Sequence, residues 1–138
     1  MTQQQITESA HILREFVLTV VRTSPQTSLS RTAAGTLSVL DRKGPQRITT
    51  LAEGEAVTQP AMTGLVQRLE STGLVARQPD PADGRATLIT ITDQGRSTLT
   101  DRRRKHDDAI AARVAALDPT RLSQLLAALP AITALTEV

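Results

Sequence analysis

"TQPAMTGLVQRLES", residues 58–71, decides the fold. Thr58 is a side chain that caps helix N-termini, and Pro60 falls in the first turn, where a missing N–H costs little. Residues set 100° apart bring Met62, Leu65, Val66 and Leu69 onto one side. The opposite side shows Pro60, Gly64, Gln67 and Ser71, with Thr63 and Arg68 on its flanks. One face is therefore built for a core. The other is polar and slim, with no carboxylate at its centre and no large apolar group. Gly73 ends the helix in the manner of a left-handed C-cap.

Working outward, "TLAEGE" (50–55) reads as a short helix capped by Thr49, two residues before the long one begins. On the other side "LVARQ" and "ATLITIT" alternate apolar and polar residues as two strands, joined by the loop "PDPADG". Upstream, "SRTAAGTLSVLDRKG" (30–44) has Ser30 as its cap and stops at Gly44-Pro45, after the turn-rich "TSPQTS" (23–28). Residues 6–22 carry Ile6, Ala10, Leu13, Val17 and Val20 at helical spacing, with Ile12, Phe16 and Val21 widening the stripe. Downstream, Asp93 is read as the cap of a long helix. Asp118-Pro119 starts a last one with Leu122, Leu125, Leu126, Leu129 and Ile132 on one side.

Composition bounds the chemistry. The 138 residues make one domain's worth, or one compact domain with flanking helices. Phe16 is the sole aromatic residue, and an aliphatic core this small often needs further surface buried by oligomerisation. There is no cysteine, which excludes disulfides and thiolate metal sites. His11 and His106 are far apart, and no clustered acid pair accompanies them, so the reading is a non-enzyme without metal or cofactor. No signal region or membrane-length apolar run is present, and a cytoplasmic protein with no membrane partner is expected. The net charge is only +2, so a nucleic-acid partner must be met by a few placed arginines rather than a bulk positive field.

Short helix, tight turn, longer helix and hairpin together are the layout of a winged helix-turn-helix. The outer face of residues 59–71 suits a major groove about 12 Å wide. Gln59 and Gln67 can bond base edges, Thr63 a base or phosphate, and Arg68 the backbone. The free N–H groups of the first turn, beside Thr58, favour a phosphate. Arg85 at the loop suits the narrow, negative minor groove alongside. Gly84 is expected at positive φ, Asp83 is expected to orient the Arg85 guanidinium, and Arg77 should lie near the phosphates. Taken alone, Asp-Gly is a generic hairpin signal and the loop is as readily a plain turn. The helix face and the loop count because they occur together at one module's spacing.

Residues 48–99, "ITTLAEGEAVTQPAMTGLVQRLESTGLVARQPDPADGRATLITITDQGRSTL", resemble the DNA-binding core of the MarR family of bacterial transcriptional regulators. The "VTQPAMT" opening, "RLESTGLVAR", the "DPADGR" wing and the "LITITDQG" exit occur in the family's order, and by motif the likeness covers about residues 29–100. The resemblance implies a mainly α fold with a small two- or three-stranded antiparallel wing. It implies a core over 29–100 and dimerisation helices over 1–28 and 101–138. It further implies a homodimer acting as a repressor on palindromic double-stranded DNA, released by a small anionic or aromatic effector. Thr58, Pro60, Thr63 and Arg68 fall at recognition-helix positions, and Asp83 and Arg85 at the wing-tip pair. The family's effector pocket would here offer His11, Arg14 and Arg22 to an anion. Gly64 stands where many relatives have a longer, often basic residue. Gly54 and Glu55 replace helix-forming and apolar residues of the short helix.

Two features stay open on the residues alone. "DRRRKHDD" (101–108) reads as a solvated helix face with internal ion pairs, or more sharply as a phosphate contact or dimer ion-pair network. The whole module also allows a different use, as a dimerisation or docking domain for another protein without sequence-specific DNA binding.

Overall fold

The computed structural model describes residues 1–137. The element order is α1 (Gln3–Thr23), α2 (Arg31–Lys43), α3 (Ile48–Gly54), α4 (Gln59–Ser71), β1 (Val75–Pro79), β2 (Thr87–Ile91), α5 (Asp93–Ala115) and α6 (Pro119–Ala134). The chain divides into two units: residues 26–104, and residues 1–25 with 105 onward. Among the described residues no helix is long and apolar enough to cross a membrane.

The unit of residues 26–104 holds the core. Leu37 and Leu40 of α2, Leu51 of α3, Met62 and Val66 of α4, and Ile89 of β2 are fully buried. The buried set on α4 is Met62, Leu65, Val66 and Leu69, the four residues that helical periodicity puts on one side. Thr36, buried among them, donates its hydroxyl to the Thr32 carbonyl at 2.9 Å, so no polar group is stranded. Gly95 is packed so tightly on the Leu74 carbonyl that a β-carbon there would collide with backbone.

β1 and β2 pair antiparallel from Val75↔Ile91 to Pro79↔Thr87. Gln46 adds a one-residue third edge: its N–H donates to the Ile89 carbonyl at 3.0 Å and its carbonyl accepts from Ile89 N–H at 2.7 Å. Gly73 turns the chain out of α4 at φ 80°.

Several local expectations are corrected. Thr49 does not cap α3; that helix starts at Ile48 after Arg47, which gives no side-chain cap, because pairing of Gln46 with β2 fixes where the chain enters the helix. Thr92, not Asp93, caps α5: its Oγ1 accepts from Gly95 N–H at 3.0 Å, and Asp93 is the first helical residue. Ser30, Thr58 and Asp118 cap α2, α4 and α6 as read. Glu55, odd for the short helix, has its carboxylate against Gly35 of α2, in space that a β-carbon on Gly35 would occupy.

In the other unit, neither α1 nor α6 has a buried residue. Phe16 is 52% and Val17 56% exposed, and Ile12, Leu18, Leu126 and Leu129 are exposed as well.

Candidate nucleic-acid interface

The candidate interface lies within residues 26–104 and consists of α4's outer side and the loop between β1 and β2. Thr58 Oγ1 accepts from Ala61 N–H at 3.2 Å, which fixes the first turn of α4. Gln59, Pro60, Gln67 and Arg68 are exposed, and Thr63 and Gly64 are half-buried. The Thr63 hydroxyl donates to the Gln59 carbonyl at 2.9 Å, leaving its oxygen able to accept. Gly64 has open space around it; a β-carbon would meet only Arg68 Nη1, at 3.5 Å.

The wing loop is shaped by its two aspartates, each folding back on the backbone two residues on. Asp80 Oδ1 accepts from Ala82 N–H at 2.9 Å, and Asp83 Oδ1 from Arg85 N–H at 3.1 Å. The loop closes through Asp80 N–H to the Ala86 carbonyl and Ala86 N–H to the Asp83 carbonyl. Two expectations about this loop are thereby corrected. Gly84 is not at positive φ, because the aspartate turns bend the chain without a left-handed residue. Asp83 holds the Arg85 backbone N–H, and among the described residues it makes no ion pair with the Arg85 guanidinium.

The arginines sort by partner. Arg77 Nε lies 3.2 Å from Glu70 at the end of α4, so its charge is already compensated. Arg47 donates Nε and Nη2 to Asp80 Oδ2 at 3.0 and 2.6 Å. That pair was not foreseen, and its members are 33 residues apart. The hydrogen bond from Arg47, then that from Ala82 N–H, holds the Asp80 carboxyl below its ordinary pKa, and the same pairing raises that of Arg47. Among the described residues, Arg68 and Arg85 have no ion-pair partner.

The charge cluster of residues 101–108 is partly used inside the chain. Arg104 pairs with Asp101 at 3.2 Å, and Arg103 Nη2 donates to Ser38 Oγ at 3.1 Å. His106 is half-buried. On α1, His11 Nδ1 and Arg14 Nη2 stand 3.2 Å apart, and Arg14 also pairs with Glu15. His11 lines a shallow concavity with Gln3, Gln4, Thr7 and Glu8, which Arg14 and Arg22 do not reach.

A three-helix core, a capped α4 with a polar outer side and a two-stranded wing define a winged helix-turn-helix DNA-binding protein. Its transcription-regulating kind follows from its relatives. The chain belongs to the MarR family, whose model matches residues 29–87. An HTH-type transcriptional regulator of Mycobacterium tuberculosis is 28% identical over 135 residues, 93% of this chain and 94% of its own. The HTH-type transcriptional repressor NicR of Pseudomonas putida is 36% identical over 64 residues, 46% of this chain and 40% of its own. The crystal structure of the transcriptional regulator Tm0710 from Thermotoga maritima superposes with a TM-score of 0.78 at 27% identity, covering 95% of each chain.

Proposed function

We propose that the protein is a cytoplasmic, homodimeric repressor that reads an inverted-repeat operator. Each subunit sets α4 into a major groove through Gln59, Thr63, Gly64 and Gln67, with the N-terminus at Thr58–Pro60 against a phosphate. Arg68 grips the backbone, Arg77 flanks it from its Glu70 pair, and Asp83 shapes the loop that carries Arg85 to the adjacent minor groove. The observation that carries this reading is the exposed polar side of α4. Gln59, Gln67 and Arg68 face outward from a buried Met62, Leu65, Val66 and Leu69, in the same unit as a loop that carries an exposed Arg85.

Dimerisation is supported by the apolar stripes of α1 and α6, exposed from Ile6 to Val21 and from Leu126 to Leu135. Stable monomers rarely expose contiguous patches beyond a few hundred Å². Residues 1–28 and 101–138 are the proposed dimerisation region, with 29–100 as the DNA-binding core. A small anionic effector would find His11 and Arg14 side by side, with Arg22 two turns on along α1.

Twofold symmetry sets half-sites about one helical turn, ~10 bp, apart. Selection of random duplexes on the purified protein should enrich an inverted repeat of that spacing. Binding to it should weaken steeply with salt, and Arg85→Ala should weaken it at matched salt without unfolding the protein. Salt-insensitive binding with no enriched symmetry would favour a docking module for another protein.

A further inference from the structure

The base of the wing is anchored in the core through Val75, Ile89 and Ile91, but its tip has little to hold it. Two five-residue strands make a ribbon that is marginal by itself in water. Beyond the Pro79↔Thr87 pair, residues 81–85 are all exposed and have no apolar anchor. Asp80 is the one loop residue that is buried, at 8% exposure. Among the described residues, the Arg47–Asp80 pair is the only side-chain hydrogen bond or ion pair from the 80–86 loop to another element.

Arg47 is itself fixed from two sides. Its neighbour Gln46 is hydrogen-bonded in both directions to Ile89 in the middle of β2, and the residue after it begins α3. One residue thus joins the sheet edge, the helix-turn-helix and the far end of β1. We propose that Arg47 is the positioning residue of the wing: through Asp80 it sets where the loop carries Arg85, and so how well Arg85 engages the minor groove. This rests on the wing reading above.

A positioning role differs from two rivals in how Arg47 couples to Arg85. If Arg47 gripped a phosphate on its own, its loss would add to the loss of Arg85 and lower the salt slope by about one unit per contact. If it only supported the fold, its loss would lower thermal stability and leave the affinity of the folded dimer unchanged. If it positions the wing, removing Arg47 costs affinity only while Arg85 is present, because interaction energies appear between residues acting as one unit.

The test is a double-mutant cycle on the full chain. The probe is a duplex carrying the inverted repeat selected on the wild-type protein, read by fluorescence anisotropy at three salt concentrations. Arg47→Ala should weaken binding about tenfold, a coupling inside the range seen for residues that share a unit. In the Arg85→Ala background it should cost less than twofold. Asp80→Asn, which keeps an acceptor for Ala82 N–H, should show the same coupling to Arg85 and serves if Arg47→Ala does not fold. Losses that multiply in the double variant, or unchanged affinity in a folded single variant, overturn the positioning role. If Arg85→Ala alone has no effect, it is the wing reading that fails, and the cycle reports this separately.

Discussion

Gly64 offers a perturbation whose two consequences separate cleanly. It lies inside α4 on the side opposite the core, and a β-carbon there meets nothing closer than Arg68 Nη1 at 3.5 Å. Gly64→Lys therefore fits without moving the backbone. Replacing a helical glycine by lysine gains about 0.7 kcal/mol. The new charge faces Arg68 at i+4, and such like-charge pairs cost a few tenths of a kcal/mol. The net gain of about 0.5 kcal/mol should raise the melting temperature by roughly 1–3 °C for a chain of this size.

The effect on DNA is larger and of different kind. One added cation per subunit, aimed at the groove, makes about two further phosphate contacts per dimer. Each steepens the dependence of log K on log salt by about 0.9, so the slope should change by about 1.8. Raising salt fourfold should then cost the variant roughly 12-fold more affinity than it costs the wild type. Anisotropy titrations of one duplex at 50 and 200 mM salt measure this directly. A variant that melts higher as expected but keeps the wild-type slope would refute the placement of α4's outer side against DNA.

Three further outcomes are expected. Ala56 sits at φ 53° in the turn between α3 and α4, where an L-residue is strained; Ala56→Gly should stabilise by about 0.5–1 kcal/mol after the flexibility glycine adds to the unfolded chain, and a lower urea midpoint would contradict the strain. Because Asp80 is held below its ordinary pKa by Arg47 and Ala82 N–H, it contributes stability above the unfolded carboxylate value, about 3.9, that is lost as pH falls through its folded value. The stability gap between wild type and Asp80→Asn should thus be open at pH 7, begin to narrow as pH falls to about 3.9 and close only below the lowered folded value; a gap independent of pH would sink the linkage. Phe16→Glu puts a charge on the exposed stripe of α1 and should shift sedimentation equilibrium from twice the chain mass to one chain; a mass that stays doubled would exclude that face from the dimer contact.

What could be read from the amino-acid order alone was whatever short-range chemistry decides. The two sides of α4 follow from the 3.6-residue period, and Ser30, Thr58 and Asp118 cap because a short oxygen side chain at that place reaches the next turn's N–H groups. The Asp93, Gly84 and Asp83 expectations missed on local choices between neighbouring groups, but others share a different cause. Thr49 and Arg47 differ as helix starts only because Gln46 is claimed by Ile89, 43 positions on. Asp80 looks like one more turn-former in "PDPADG" until the α2–α3 link brings a guanidinium to it, and Glu55 looks misplaced until Gly35 supplies the hollow it fills. At Thr49, Asp80 and Glu55 a local rule was outvoted by a tertiary contact, and those contacts hold the wing and the short helix in place around α4. The stripes on α1 and α6 press the same lesson further. An amphipathic period says that a face will be covered but not by what, and no residue of either helix is buried within the chain. A second copy offers the same two stripes, which is why twofold pairing is the cover proposed for them. That is also the arrangement that would turn one α4 and one wing into a reader of inverted repeats.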